Sequence, residues 1–248
     1  KEMTRRAEAT GDELFKRCAA VLRADPDDYH AAAKAWRKII KEWPDEPAPY
    51  FNLAIALDRS DRNVESAQMF LKATELHKEG TKGWAESAAS AFDLLKHPDC
   101  REVPKPEWWS DEALKALSAR LVAAAPGNPR TCVMRARVLS GDALFKATSW
   151  NVGLRTAAEI KEAASWYLRT AAVACAPADT LIYEELASEC DEFADPLLAK
   201  EAAEAAEARA AAKIEAAEAL KVAEAKAKAA AEELLAEEEE EKQRLGPT

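Results

Sequence analysis

Glycine is scarce in this chain, at seven of 248 residues, and alternating runs of Val, Ile, Thr and aromatics are missing. Glycine is the costliest ordinary residue in a helix interior and alanine the cheapest, while period-two alternation marks a half-buried strand. These two shortages, set beside long alanine-rich runs, exclude a β architecture and predict an all-α protein. A basic excess is also lacking. The formal net charge is −10, whereas a nucleic-acid binder presents a basic face, so nucleic acid is not an expected partner. No run of 18 apolar residues occurs, so no membrane span is expected.

Cysteine is sparse and unpatterned. The five residues Cys18, Cys100, Cys132, Cys175 and Cys190 are odd in number and never form C-x-x-C, which predicts free thiols in a reducing compartment rather than a disulfide framework. Asn-x-Ser/Thr sequons are missing as well. The expectation is a soluble, non-secreted protein of the cytoplasm or an organelle interior. The chain opens on Lys1 rather than Met, so an upstream targeting peptide remains open. Phosphate-binding Gly-rich loops, G-x-S-x-G and H-E-x-x-H do not occur, and no nucleophile stands beside a base. The three histidines, His30, His77 and His97, are dispersed. His97 and Cys100 lie close in sequence, but no second pair follows at zinc-site spacing. Neither an enzyme nor a bound cofactor or metal is expected.

What the chain does have is a period. Tyr50 and Trp84 open helical patterns 34 positions apart, and Trp36 and Phe70 in the intervening helices are again 34 apart. Self-similarity at this spacing, with a helix–turn–helix pattern, is the signature of a repeat solenoid. Tyr50, Leu53, Ala54 and Leu57 stripe one helix; Ser66, Phe70, Ala73 and Leu76 stripe the next; Trp84, Ala88 and Ala91 start a third. Ahead of them, Ala32, Trp36, Ile39 and Ile40 point inward from a helix over about 29–43, closed by Pro44. A first helix is predicted from Thr10, where Thr10 and Glu13 have capping-box spacing, with Phe15, Ala19 and Leu22 on its inner face.

After Leu95 the period slips. Pro98, Pro104 and Pro106 forbid a continuous helix, and residues 97–109 read as an inserted loop. Ser110, followed by Asp111 and Glu112, is a fitting N-cap for the delayed partner helix. A fourth unit opens with Cys132, Arg135, Ala136 and Leu139. It carries its own insertion, from Gly141 to Thr156, and continues with Ala163, Tyr167 and Ala171. Residues 181–193 would form a half-unit. Asp195-Pro196 has the form of an N-cap with proline at the first helical position, which predicts a new helix of Ala/Glu-rich composition running to Leu245. The expected division is therefore a repeat region over 1–194 and a long C-terminal helix over 195–248. The latter carries 14 acidic and 8 basic side chains. Its first third is expected to cap the stack, and no heptad phase in it stays apolar as a coiled coil requires.

These offsets of large, small and aromatic residues resemble the tetratricopeptide repeat. Tyr50, Leu53, Ala54 and Leu57 match its first-helix signature, Phe70 and Ala73 its second, and Trp36 with Pro44 the end of the preceding unit. The segments 105–120 and 134–141 are also similar to a group of solenoid proteins of unicellular algae, a likeness that implies architecture and no activity. The tetratricopeptide resemblance implies a TPR-like solenoid of about four helical hairpins and a protein-binding role in a concave groove lined by the first helix of each unit. On that basis Phe51, Asn52, Ile55 and Arg59 line the groove from the second unit. Lys82, Ala89 and Phe92 do so from the third, and Arg130, Met134 and Arg137 from the fourth.

Such a mixed, locally basic groove suits an acidic or amphipathic segment of another protein. The expected function is a protein–protein interaction scaffold. The alternative is a permanent accessory or linker subunit of a large assembly. A carboxylate-clamp co-chaperone is a more distant reading, because only Asn52 and Lys82 match clamp positions and Glu86 stands where the family has a basic residue. Trp108, Trp109 and Trp150 lie in or beside the insertions, outside the repeat pattern. Aromatics so placed either fold the loops onto the helices or anchor a partner.

Overall fold

The computed structural model describes residues 2–24, 27–141, 152–174 and 176–245. Among them are nine α-helices, one 3₁₀ turn and no strand. The helices are α1 (Glu2–Arg23), α2 (Tyr29–Glu42), α3 (Pro47–Asp58), α4 (Asn63–Leu76) and α5 (Lys82–Leu95), then α6 (Asp111–Ala124), α7 (Pro129–Ser140), α8 (Ala157–Val173) and α9 (Pro177–Leu245). From α1 to α8 each helix packs on the next, and α5 also touches α7. By contacts the chain divides into two units, Lys1–Asp195 and Pro196–Thr248.

Local chemistry explains most boundaries. The Asp28 side chain accepts from the Ala31 backbone N–H at the start of α2, and Thr81 accepts from Trp84 N–H at the start of α5. Asn128 caps α7 through the N–H groups of Arg130 and Thr131. Thr156 and Glu159 form a reciprocal capping box on α8. Each satisfies donors that a helix start leaves unpaired. Proline at the first position of α3 and α7 removes a donor that would have had no partner. α7 ends at Gly141 with φ +57°, and a Cβ there would lie 2.7 Å from Val152 Cγ1. Only glycine suits a position that is both left-handed and this crowded.

Apolar clusters join successive helices of the first unit. In one, Trp36, Ile39, Leu53 and Leu57 join α2 to α3. In a second, Phe70, Ala54, Ala67 and Ala91 join α3, α4 and α5. In a third, Trp84, Phe92, Leu114, Leu121, Met134 and Val138 join α5, α6 and α7. Trp36 and Phe70, one period apart, are equally enclosed, at 2% and 1% exposure. Tyr50 and Trp84 differ: Tyr50 is half-buried and donates its hydroxyl to Pro44 O, whereas Trp84 is buried in the third cluster. The buried Ser66 hydroxyl donates to Ala54 O, so the α3–α4 contact loses no hydrogen bond.

Three expectations are corrected. α1 begins at Glu2, which puts positions 10 and 13 inside the helix rather than at its start. Its inward stripe is Leu14, Cys18 and Val21, while Phe15 is 73% exposed and Leu22 is exposed too. The two stripes run in parallel one residue apart, each with i, i+4, i+7 spacing, so periodicity alone could not choose between them. Asp195-Pro196 does not start a helix: α9 is continuous from Pro177, with Pro196 inside it. The flanking residues are strong helix formers, and the proline's missing N–H and ring clash act at one turn only. Among the described residues of α9 the buried ones are Ala187, Cys190 and Ala194, and every residue from Leu198 to Glu232 is exposed.

Truncating a cluster centre should cost far more than truncating the exposed helix. Phe70→Ala is expected to lower unfolding free energy by about 3–5 kcal/mol, read from urea titration by circular dichroism. Ile214→Ala, at a 62% exposed position, should change it by under about 0.5 kcal/mol.

Candidate functional site

The residues expected to line a groove fall into three environments. Phe51 and Ile55 of α3 are half-buried against the second cluster, and Phe51 meets Phe70 edge-on at 5.4 Å. Ala89 and Phe92 of α5 and Met134 of α7 are fully buried. This corrects their expected placement on an accessible surface. Trp109 covers Phe92 at 5.6 Å between ring centroids, and the Lys96 ammonium sits 4.6 Å above the same ring. The segment between α5 and α6 thus covers this stretch of α5.

The polar residues form a ladder between α5 and α7. Glu86 accepts from Asn128 Nδ2 at 2.8 Å and pairs with Lys82 at 3.5 Å. Arg130 donates to Ser90 Oγ at 2.8 Å. Arg137 donates to Asp93 Oδ1 at 2.5 Å, and Lys96 reaches the same carboxylate at 3.0 Å. Burial lowers the Lys96 pKa, Asp93 works against that shift, and Arg137 adds to it. Three of the expected basic groove residues, Lys82, Arg130 and Arg137, therefore already have partners within the chain. Asn52 donates its amide to Ala48 O one turn back. Arg59 is exposed at the end of α3. The two clamp-matching residues, Asn52 and Lys82, are both engaged locally.

Trp108 and Trp109 are half-buried, 5.7 Å apart, and pack on both the second and third clusters. Lys105 holds the loop in place by donating to Leu95 O and Cys100 O, and Asn63 of α4 donates to Asp99 at 3.0 Å. Burial raises the Cys100 thiol pKa, and His97 Nδ1 accepts the Asp99 backbone N–H. Among the described residues no three His, Cys, Asp or Glu side chains come together to hold a metal, and no helix is long and apolar enough to cross a membrane. Trp150 lies outside the described residues.

A residue that sequence reasoning missed anchors the second insertion. Arg155, with its side chain only 4% exposed, donates to both Asp111 oxygens at 2.8 and 2.5 Å and to Val138 O at 2.8 Å. Asp111 also accepts Gly153 N–H at 3.2 Å. Beside this pair, Lys115 meets Glu159 at 2.5 Å. Burial acts to raise the Glu159 pKa, but hydrogen bonds from Lys115 and Thr156 outweigh it and hold the carboxyl below its ordinary value. The partners lie 44 positions apart, too far for a local spacing rule to connect them. The one available signal was an Arg next to the Thr156 cap, at the end of an insertion that has to be tied down.

Comparison with protein-family models gave no match, and none of the curated proteins matched the chain.

Two outcomes follow from the anchor. Asp111→Ala leaves the Arg155 guanidinium buried without its carboxylate and should cost about 3–5 kcal/mol, more than the double change Asp111→Leu/Arg155→Met, which removes both charges. Urea titration of the three proteins checks this. Glu159 titrates lower in the folded chain than in the unfolded one. Its stabilising contribution is therefore full above the ordinary carboxyl pKa and is lost as pH falls through the folded value. Glu159→Gln should flatten the fall in melting temperature between about pH 5 and pH 3, read by scanning calorimetry.

Proposed function

We propose that this chain is a tetratricopeptide-like solenoid of about four helical hairpins with two insertions, and that it works as a non-enzymatic scaffold binding other proteins. The observation that carries the reading is the order of packing. Each helix from α1 to α8 sits on its successor, and α5 touches α7, the first helix of the next hairpin. Contact between first helices of successive hairpins builds a continuous face in a stacked repeat, and α5 with α7 is the pair that makes it here. The equal enclosure of Trp36 and Phe70, one period apart, supports the same reading.

The internal pairing of Lys82, Arg130 and Arg137 bears on how such a face would work. Cations with partners at hand attract an acidic segment weakly, so recognition rests on shape and apolar contact, with Arg59, Lys82 and Arg130 all exposed and only Arg59 forming no ion pair or side-chain hydrogen bond among the described residues. The carboxylate-clamp reading draws no support from Asn52 and Lys82. The alternative of a permanent linker subunit is favoured by one observation: α9 exposes every residue from Leu198 to Glu232, a long helical surface.

Affinity purification of the full chain from native cells tests both readings. Partners should co-elute, and Arg59→Glu/Lys82→Glu/Arg130→Glu should reduce their recovery by about tenfold, which corresponds to about 1.4 kcal/mol, with helix content unchanged. A linker subunit would migrate almost wholly with a large complex on size exclusion, and a reversible adaptor would divide between complex and free pools. Unaltered recovery in the triple variant would remove the groove from the account.

A further inference from the structure

The two ends of the first unit are opposite in chemistry. At one end, α1 and α2 enclose a shallow hollow lined by Ala20, Val21, Ala24, Ala31 and Ala35, with Asp28 at its edge. Its side chains are small. On α2, Lys34 and Lys38 follow Ala31 at i+3 and i+7 and so share its face. Both are exposed and form no ion pair among the described residues, whereas Arg17 is taken by Glu42 and Arg37 by Glu65.

At the other end, residues 177–195 of α9 pack on α8 through Tyr183, which stacks on Tyr167 at 6.4 Å between centroids. Ala187, Cys190 and Ala194 complete the buried stripe, and burial pushes the Cys190 thiol up to about 12. Beside that stripe lies a second one. Ile182, Glu185, Leu186, Glu189 and Phe193 fall on one face at helical spacing. Ile182 and Phe193 are 52% and 46% exposed, and Leu186 between them is half-buried. Residues 177–195 carry seven acidic and no basic side chains. Lys161 engages Asp191 and Asp195, but Glu185 and Glu189 are exposed and form no ion pair among the described residues.

We propose that these two ends dock on each other between copies of the chain, head to tail. Ile182 and Phe193 of one copy enter the alanine-lined hollow of the next, and Glu185 and Glu189 meet Lys34 and Lys38. Large apolar side chains face small ones, and two carboxylates one helical turn apart face two ammonium groups at the same interval, so both shape and charge select this occupant. The contact joins two different surfaces, so it closes into a ring or extends as an open chain of copies instead of stopping at a symmetric dimer. It uses the ends of the unit and not the groove of the preceding reading, so purified protein tests it without any partner.

The test is sedimentation of the full chain between about 1 and 200 μM, since association follows mass action. The weight-average mass should rise past that of a dimer with concentration. It should fall at about 1 M salt, where the screening length is only about 3 Å. Lys34→Glu/Lys38→Glu and Glu185→Lys/Glu189→Lys, all at exposed positions, should each be monomeric alone. Mixed in equal amounts they should regain the wild-type mass, because each then offers the charge the other needs. Circular dichroism checks that both are folded; if either double variant is not, Lys38→Glu and Glu189→Lys replace them. A wild-type chain that stays monomeric at low salt would overturn the proposal. So would variants that associate as the wild type does, or a mixture that fails to reassemble.

Discussion

Close approach of helices is the constraint on which the first unit depends. Ala54, Ala67, Ala85, Ala88, Ala91, Ala136 and Ala163 are all fully buried, each at or near a place where one helix meets another. A side chain of one carbon lets two backbones come near enough for the aromatic one turn away to reach across, as Phe70 does beside Ala54 and Ala67. Interiors packed to this density do not absorb an added methylene cheaply. Alanine here is therefore a spacing requirement as much as a helix former. The exposed alanines of α9, beyond Ala194, serve propensity alone.

The insertions obey the same constraint by other means. Each lies between two helices and is tied back by a polar side chain, half-buried in the first case and buried in the second. Lys105 supplies the first tie by donating to two main-chain carbonyls. Arg155 supplies the second through Asp111 and Val138 O. A buried guanidinium is costly unless fully paired, so the second insertion has little freedom at its C-terminal end. The tryptophans of the first insertion act likewise: Trp108 and Trp109 spend their area on the clusters of the unit itself.

How much of this could be read in advance depended on the range of the signal. Element type from α2 to α8 came from apolar spacing, and the span of α2 and the start of α6 from prolines and cap residues, all of which act within a few residues. The register of α1 did not, because Leu14–Cys18–Val21 and Phe15–Ala19–Leu22 offer the same periodicity and only packing on α2 decides. Asp195-Pro196 carried a genuine local preference that the helix-forming residues on both sides overrode. Of the residues read onto the groove, Arg59 and Lys82 are exposed, while Phe92 and Met134 are buried in the third cluster, a placement set by packing between helices distant in sequence. Arg155 and Asp111 find each other across 44 positions, and a single sequence contains no rule for that.

Charge placement has a consequence for any surface this unit offers. Net charge by itself would describe residues 1–194 as nearly neutral, with 31 acidic and 27 basic side chains. The neutrality is an average over unlike parts. Within the α5–α7 seam, opposite charges are already joined, Glu86 to Lys82 and Asp93 to Arg137 and Lys96. A paired cation contributes little to attraction at a distance, because its field is cancelled within a few ångströms and salt screens what remains. At the two ends, by contrast, Lys34 and Lys38 on one side and Glu185 and Glu189 on the other are exposed and unsatisfied by ion pairs among the described residues. The two ends therefore present opposite exposed charges, whereas the charges of the α5–α7 seam are already paired.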